Sequence, residues 1–254
     1  AKFINDRPDG NFPSHSPNPL ADSACDQLIF EVKKQKADLG VILDNDGDRS
    51  FFIDATGRLL TATESLICLG KNFSGPVVVD FMIGPLAYEM LGKEGREVIT
   101  SRVGTYFIKK TMSEKNVGFA GEYSGHYYFK DFFGSDSGIL AAIFFMNQLS
   151  GIRNQVSGIR SLSDWLKTLP RYHQTMINFR YERERFPQLA TMLQKKFAKS
   201  ALKISDLDGI KIEFSKHWFN LRPSNTEDLL RLTVEAQTEE LLKKTSQELR
   251  GMLA

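Results

Sequence analysis

The feature that most limits how this chain can fold is the apolar run Leu39-Gly40-Val41-Ile42-Leu43, broken at once by Asp44-Asn45-Asp46-Gly47-Asp48-Arg49. A short apolar run bounded by turn residues reads as a buried parallel strand, and open α/β sheets carry their ligand sites at the C-terminal ends of such strands. Here that end carries three carboxylates at alternate positions with a Gly among them. Such an oxygen cage suits a hard divalent cation, Mg²⁺ or Ca²⁺. Two blander readings compete. Asp and Gly are ordinary turn residues, so the acids could simply be solvated. An EF-hand loop fits poorly, because Arg49 stands at the sixth position, where Gly is needed, Ala55 stands at the twelfth, and a strand leads in. The residues favour a Mg²⁺ site at Asp44, Asp46 and Asp48.

At 254 residues the chain has room for more than one core. A formal charge of +2 gives no global attraction to nucleic acid or to a membrane surface. The longest apolar run, 139–146, is too short to cross a bilayer, and the start shows no signal-peptide pattern. Cys25 and Cys68 lie in apolar contexts at no metal-binding spacing, so they read as core residues of a reducing compartment, which implies a cytoplasmic protein. The absence of a Met before Ala1 reads as the mark of a processed or excised piece.

Residues 8–19 hold four prolines and form a rigid loop. Ser14-His15 within it looks like a nucleophile beside a base, but nothing nearby orients the imidazole. A helix follows over 21–37 with Asp22 as N-cap, then strand 39–44 and strand 50–54, which turns back through 55–57. Helix 60–71, strand 76–80, helix 85–91, strand 97–100 and helix 106–115 alternate, which predicts βαβ units and a largely parallel sheet. Helix 138–149 is apolar on most faces and is expected to be buried; 151–158 reads as a surface loop, and helix 161–168 ends at Pro170. Beyond Pro170 the pattern changes to strand 175–181, helix 187–199, turn 206–209, strands 210–214, 218–222 and 229–236, and helix 239–253. That is a small α+β domain with an antiparallel sheet. The fold class is therefore α/β and multi-domain, with βαβ-type mixed-sheet domains followed by the α+β domain.

Two further stretches carry chemistry. In Gly121-Glu122-Tyr123-Ser124-Gly125-His126 a carboxylate, a hydroxyl and an imidazole alternate, and an extended backbone would aim Glu122, Ser124 and His126 the same way, a comb suited to sugar hydroxyls. In Arg222-Pro223-Ser224-Asn225-Thr226-Glu227 a guanidinium, two hydroxyls and an amide form a phosphate cradle, to which Arg231 on the next strand adds charge. Polar hairpins and turns of similar composition are common, so neither stretch is decisive alone.

Together these stretches resemble the α-D-phosphohexomutase superfamily, specifically its phosphomannomutase/phosphoglucomutase branch, across essentially the whole chain. That family's metal loop reads D-G-D-G-D-R, its sugar loop G-E-x-S-G-H and its phosphate loop R-x-S-N-T-E-P, and residues 44–49, 121–126 and 222–228 match them in order. Residues 8–19 also resemble a family loop, P-D-G-x-F-P-x-H-x-P-N-P. The resemblance implies a reversible shift of phosphate between positions 1 and 6 of a hexose through a phosphoserine and a bisphosphate intermediate. It implies Mg²⁺ on Asp44, Asp46 and Asp48, with Arg49 beside the transferring phosphate. Glu122 and Ser124 would hold sugar hydroxyls, with His126 supporting that loop. Arg222, Ser224, Asn225, Thr226 and Arg231 would grip the other phosphate. The implied domains are a remnant of domain 2 at 1–57, a sugar-binding domain 3 at 58–170 and a phosphate-binding domain 4 at 171–254. The implied partners are a hexose phosphate and the N-terminal domains of the same enzyme, without nucleic acid or membrane.

Three departures stand out. The family's phosphoserine motif, T-A-S-H-N-P, is absent from the sequence, so the resemblance implies a chain inactive alone. Thr105 stands where many members have His. Asn45 and Asp228 replace the usual Gly and Pro without removing a ligand. Two other functions remain open on the residues: a haloacid-dehalogenase-type phosphatase with Asp44 as nucleophile and Asp46 as acid/base, and a phosphosugar-binding module without catalysis.

Overall fold

The computed structural model describes residues 1–7, 9–155, 161–224 and 228–253. These divide into two compact units, residues 1–100 with 104–169 and residues 101–103 with 170–254.

The first unit opens on turns that run up to α1 (Asp26–Gln35). That helix starts later than its apolar spacing predicts. Residues 21–24 are taken up in turns, Ala24 N–H donating to the Ala21 carbonyl, and the N-cap is Cys25 rather than Asp22. Leu28, Ile29 and Val32 of α1 pack with Cys25 on Ile42 of β1 (Leu39–Leu43) and on Phe51 and Ile53 of β2 (Ser50–Asp54). The two strands pair antiparallel, Leu39 opposite Asp54 and Leu43 opposite Ser50, which corrects the parallel reading of 39–44. The reason is length: only the six residues 44–49 separate them, and a parallel pair needs a crossover of about a dozen residues or more.

The chain leaves β2 through Arg58, whose guanidinium donates to both Glu64 oxygens at 3.0 and 3.1 Å. Glu64 also completes a capping box with Thr61 at the start of α2 (Ala62–Gly70). Then come β3 (Val77–Asp80), α3 (Pro85–Lys93), β4 (Val98–Ser101), α4 (Thr105–Lys115), β5 (Phe119–Gly121), β6 (Tyr127–Phe129) and β7 (Ser135–Asp136). They make a sheet of order β4-β3-β5-β6-β7. Strands β3 and β5 are parallel, as a βαβ unit requires, whereas β5, β6 and β7 run antiparallel. The sheet is thus mixed rather than largely parallel, because after β5 the chain doubles back in a tight hairpin instead of entering another helix.

Two helices complete this unit, α5 (Gly138–Gln155) and α6 (Leu162–Lys167). Helix α5 is not buried all round, and it runs through Gly151, which the sequence pattern assigns to a loop; residues 156–158 of that loop lie outside the described residues. Ala141 and Phe145 are buried, Phe145 stacking on Phe52 of β2 with centroids 4.0 Å apart, while Ile139, Ile143 and Met146 stay exposed.

The second unit is built from β8 (His173–Arg180), α7 (Phe186–Phe197), β9 (Lys203–Ser205), β10 (Ile210–Glu213), β11 (His217–Pro223), β12 (Leu229–Ala236) and α8 (Glu239–Leu253). The strands form an antiparallel sheet of order β8-β12-β11-β10-β9. Leu189 and Leu193 of α7 and Leu249 of α8 close one core with Ile212, Phe219 and Leu232. Strand β9 escapes the sequence pattern because three residues are too few to show alternation.

Candidate functional site

The hairpin loop between β1 and β2 holds itself closed. Arg49 donates its backbone N–H to Asp44 Oδ1 at 3.2 Å and its Nε–H to Asp44 Oδ2 at 2.5 Å, and Asp44 N–H returns to the Arg49 carbonyl at 3.4 Å. One carboxylate oxygen each from Asp44, Asp46 and Asp48 lies within 4.8 Å of the others, with Asp44 buried, Asp46 exposed and Asp48 half-buried. Burial alone would raise the Asp44 carboxyl, but the Arg49 backbone and guanidinium outweigh it and hold the group below its ordinary range. Asp48 is pushed up by burial and by the charges of Asp44 and Asp46, with His126 pulling the other way. Its Oδ1 is buried with no hydrogen-bond partner among the described residues. Acids held this close, with one buried oxygen that lacks a hydrogen bond among the described residues and lies 3.7 Å from the Arg49 Nε, fit a divalent cation.

The segment from Glu122 to His126 does not stay extended. Glu122 N–H donates to the His126 carbonyl at 2.9 Å and Gly125 N–H to the Glu122 carbonyl at 3.1 Å, with Gly125 at φ +90°, a conformation that favours glycine. The three side chains therefore converge by folding back, not by strand alternation. Ser124 Oγ lies 2.8 Å from His126 Nδ1 and 3.2 Å from Glu122 Oε2, and His126 Nδ1 lies 3.1 Å from the same carboxylate. Glu122, 3% exposed, also accepts Gly104 N–H at 2.9 Å and the Tyr128 hydroxyl at 3.1 Å. Burial would raise this carboxyl, but His126 and the Gly104 N–H outweigh it and lower it. Burial likewise opposes the His126 charge, yet Glu122, Asp48 and Asp136 together hold the imidazole above its ordinary value.

These two loops are one piece of structure. Arg49 and His126 form a β-bridge, Ser50 N–H donates to the Gly125 carbonyl at 3.1 Å, and His126 Nε2 sits 3.2 Å from Asp48 Oδ2. Asp48, His126 and Asp136 make a second group of ligand atoms that shares Asp48 with the first.

In the second unit, Arg222 lies directly opposite Arg231 in the β11–β12 register. Like charges facing across strands repel, and a bound anion would lessen that repulsion. Arg222 Nε is buried without a hydrogen-bond partner among the described residues. Ser224 is 4% exposed, and its N–H donates to the Leu229 carbonyl at 2.7 Å, closing the neck of the connecting loop. Asn225 and Thr226 lie outside the described residues.

Comparison with known proteins answers what kind of chain carries such loops. Three family models of phosphoglucomutase/phosphomannomutase match in order: alpha/beta/alpha domain II at residues 2–57, alpha/beta/alpha domain III at 59–172 and the C-terminal domain at 176–252. The chain belongs to the phosphoglucomutase/phosphomannomutase superfamily. It is 38% identical to a phosphomannomutase of Methanocaldococcus jannaschii, over 100% of this chain and 56% of that protein. It is 31% identical to a phosphomannomutase/phosphoglucomutase of Pseudomonas aeruginosa, over 96% of this chain and 53% of the other. A crystal structure of a phosphoglucomutase/phosphomannomutase family protein from Burkholderia thailandensis superposes with a TM-score of 0.78 at 25% identity, covering 96% of this chain and 52% of that one. The chain thus spans about half the length of the curated relatives it matches.

This member of the superfamily carries supports that residue-by-residue reading misses. Asp80, buried at the end of β3, accepts Tyr123 N–H at 3.0 Å and so pins the 122–126 turn. The signal was its place at the C-terminal end of Val77-Val78-Val79. Thr105 Oγ1 lies 3.0 Å from the Tyr128 hydroxyl, which itself bonds Glu122, so Thr105 supports that carboxylate through Tyr128. Tyr128 gave no signal inside an aromatic run. His15 Nδ1 pairs with the Ser16 carbonyl at 2.7 Å. Asp44, already engaged by Arg49, leaves the phosphatase reading without support. Among the described residues no helix is long and apolar enough to cross a membrane.

Proposed function

We propose that this chain is the cation-, sugar- and phosphate-holding part of a phosphohexomutase that moves phosphate between positions 1 and 6 of a hexose. The observation that carries the reading is the bonded pairing of the acidic loop with the Glu122–His126 turn. An acid trio that suits Mg²⁺ stands beside hydroxyl- and imidazole-bearing groups that suit a sugar. Asp44, Asp46 and Asp48 would hold Mg²⁺, which neutralises charge on a moving phosphoryl group. Arg49 flanks that phosphate, anchored through Asp44. Ser124 and Glu122 address sugar hydroxyls, Ser124 being the more accessible of the two, and His126 holds their loop. In the second unit Arg222, Ser224, Asn225, Thr226 and Arg231 grip the phosphate that is not transferred. Fixing that far end removes orientational freedom from the reacting end.

The reaction needs a phosphoserine that gives its phosphoryl group to the free sugar hydroxyl, after which the bisphosphate returns its other phosphoryl group to the serine. The sequence contains no T-A-S-H-N-P segment, so the proposal places that serine outside this chain, and the chain alone does not turn over. The test is calorimetric titration of glucose 1-phosphate and mannose 1-phosphate into the protein with Mg²⁺, alongside a coupled assay primed with glucose 1,6-bisphosphate. Saturable binding without turnover is expected. Turnover by this chain would overturn the mechanism, and no binding of either sugar phosphate by folded protein would overturn the function.

A further inference from the structure

Helix α5 begins against the acidic loop, and nothing in the ligand set accounts for how closely. Ser137 caps the helix by accepting Leu140 N–H at 3.1 Å. Gly138 is then the first helical residue, whose N–H no helical turn can satisfy. It donates instead to the Gly47 carbonyl at 3.0 Å, between Asp46 and Asp48. A Cβ at position 138 would stand 2.6 Å from the Arg49 carbonyl oxygen and 2.8 Å from that of Gly47. Both contacts are backbone and cannot swing aside. Glycine is therefore required here by space alone. On its other side the same loop is tied to the 122–126 turn by the Ser50 N–H to Gly125 bond and the Arg49–His126 bridge. The loop is gripped between a helix start and a hairpin, and Asp48 lies between the two gripped points. The N-terminal end of α5 thus abuts the backbone of the loop that carries the three carboxylates.

We infer that Gly138 is a positioning residue of the cation site: it touches no ligand atom, yet it sets the shape of the loop and hence the cation affinity. The inference rests on the reading of Asp44, Asp46 and Asp48 as ligands. Supporting residues outside the ligand set typically change metal affinity by about 10–100-fold. On intrinsic helix propensity alone Gly→Ala would stabilise α5 and leave cation affinity unchanged, so a loss of affinity separates the two expectations.

The experiment measures Mn²⁺ binding by electron paramagnetic resonance for the wild type, Gly138→Ala and Gly92→Ala. Gly92 lies in α3, where an added Cβ meets nothing within 4 Å. Gly138→Ala is expected to bind Mn²⁺ about tenfold or more weakly, with Gly92→Ala unchanged. In the wild type, exchange of the Gly138 amide is expected to slow several-fold on adding Mg²⁺, a readout that holds if Gly138→Ala fails to fold. Wild-type affinity in folded Gly138→Ala, or a Gly138 amide indifferent to Mg²⁺ while the 44–49 amides respond, would overturn the inference alone. No Mn²⁺ binding by the wild type would overturn it together with the ligand reading.

Discussion

The acidic loop with its neighbouring turn and the Arg222–Arg231 pair are both polar clusters, but they are built in opposite ways. In the first, nearly every charged group has a protein partner. Asp44 is held by Arg49, Glu122 by Ser124, Tyr128, Gly104 and His126, and His126 by three carboxylates. In the second, two cations face each other across a strand pair and Arg222 Nε is buried without a hydrogen-bond partner among the described residues. The difference teaches where each cluster's free energy lies. The first is tied into the fold by many bonds; the second sets two cations opposite each other, a repulsion that a bound anion would lessen. Mutations should therefore damage stability in one region and binding in the other.

The largest effect is expected at Asp44. Asp44→Asn removes the charge that anchors Arg49 and turns a donor towards its Nε. It should cost about 2 kcal/mol, the scale of a lost charge-assisted bond at a buried site, lower the unfolding midpoint by about 4–8 °C and abolish measurable Mn²⁺ binding. Differential scanning calorimetry and Mn²⁺ titration check both arms. Next comes Arg222→Met, which should leave the midpoint unchanged or slightly raised while weakening glucose 1-phosphate binding by about tenfold or more. A destabilised Arg222→Met with intact binding would erase the contrast between the regions.

A smaller effect separates the hydroxyl relay from the ring that carries it. Tyr128→Phe keeps the buried ring and removes only the group between Thr105 and Glu122. About 1 kcal/mol should be lost, and combining it with Thr105→Val should cost little more, because both changes break one chain of bonds. The smallest effect is the pH dependence of the metal-free protein. The folded His126 holds its proton more tightly than the unfolded chain does, so its contribution is fully present below pH 6.5 and is lost as pH rises through the raised folded value. In EDTA the unfolding midpoint should fall above pH 6.5, and His126→Gln should flatten that fall.

How much of this was legible depended on whether the geometry is local in sequence. The acid trio lies at alternate positions of one short loop, and so its clustering could be read directly from Asp44 to Asp48. The Glu122–His126 group could be read as a set, but its convergence came from a turn at Gly125 that alternation does not encode. The antiparallel sense of β1 followed from the shortness of its loop, a signal present in the sequence but outweighed there by the apolar run. Thr105 with Tyr128, Asp80 with Tyr123 and Gly138 with Gly47 join residues 23, 43 and 91 positions apart respectively, differences read from their numbers. No pattern within any one of those stretches marks its partner. The opposition of Arg222 and Arg231 needed the strand register as well as the residue types.

Asp46 offers the most direct test, because it is exposed and belongs to the acid trio, so its loss should remove a ligand without loosening the fold. Titration of Mg²⁺ or Mn²⁺ into the wild type and Asp46→Ala, with unfolding midpoints measured in EDTA, should show equal midpoints and at least a tenfold loss of cation affinity in the variant. Equal affinity at equal midpoint would show that the three aspartates do not hold the cation, and would contradict the account.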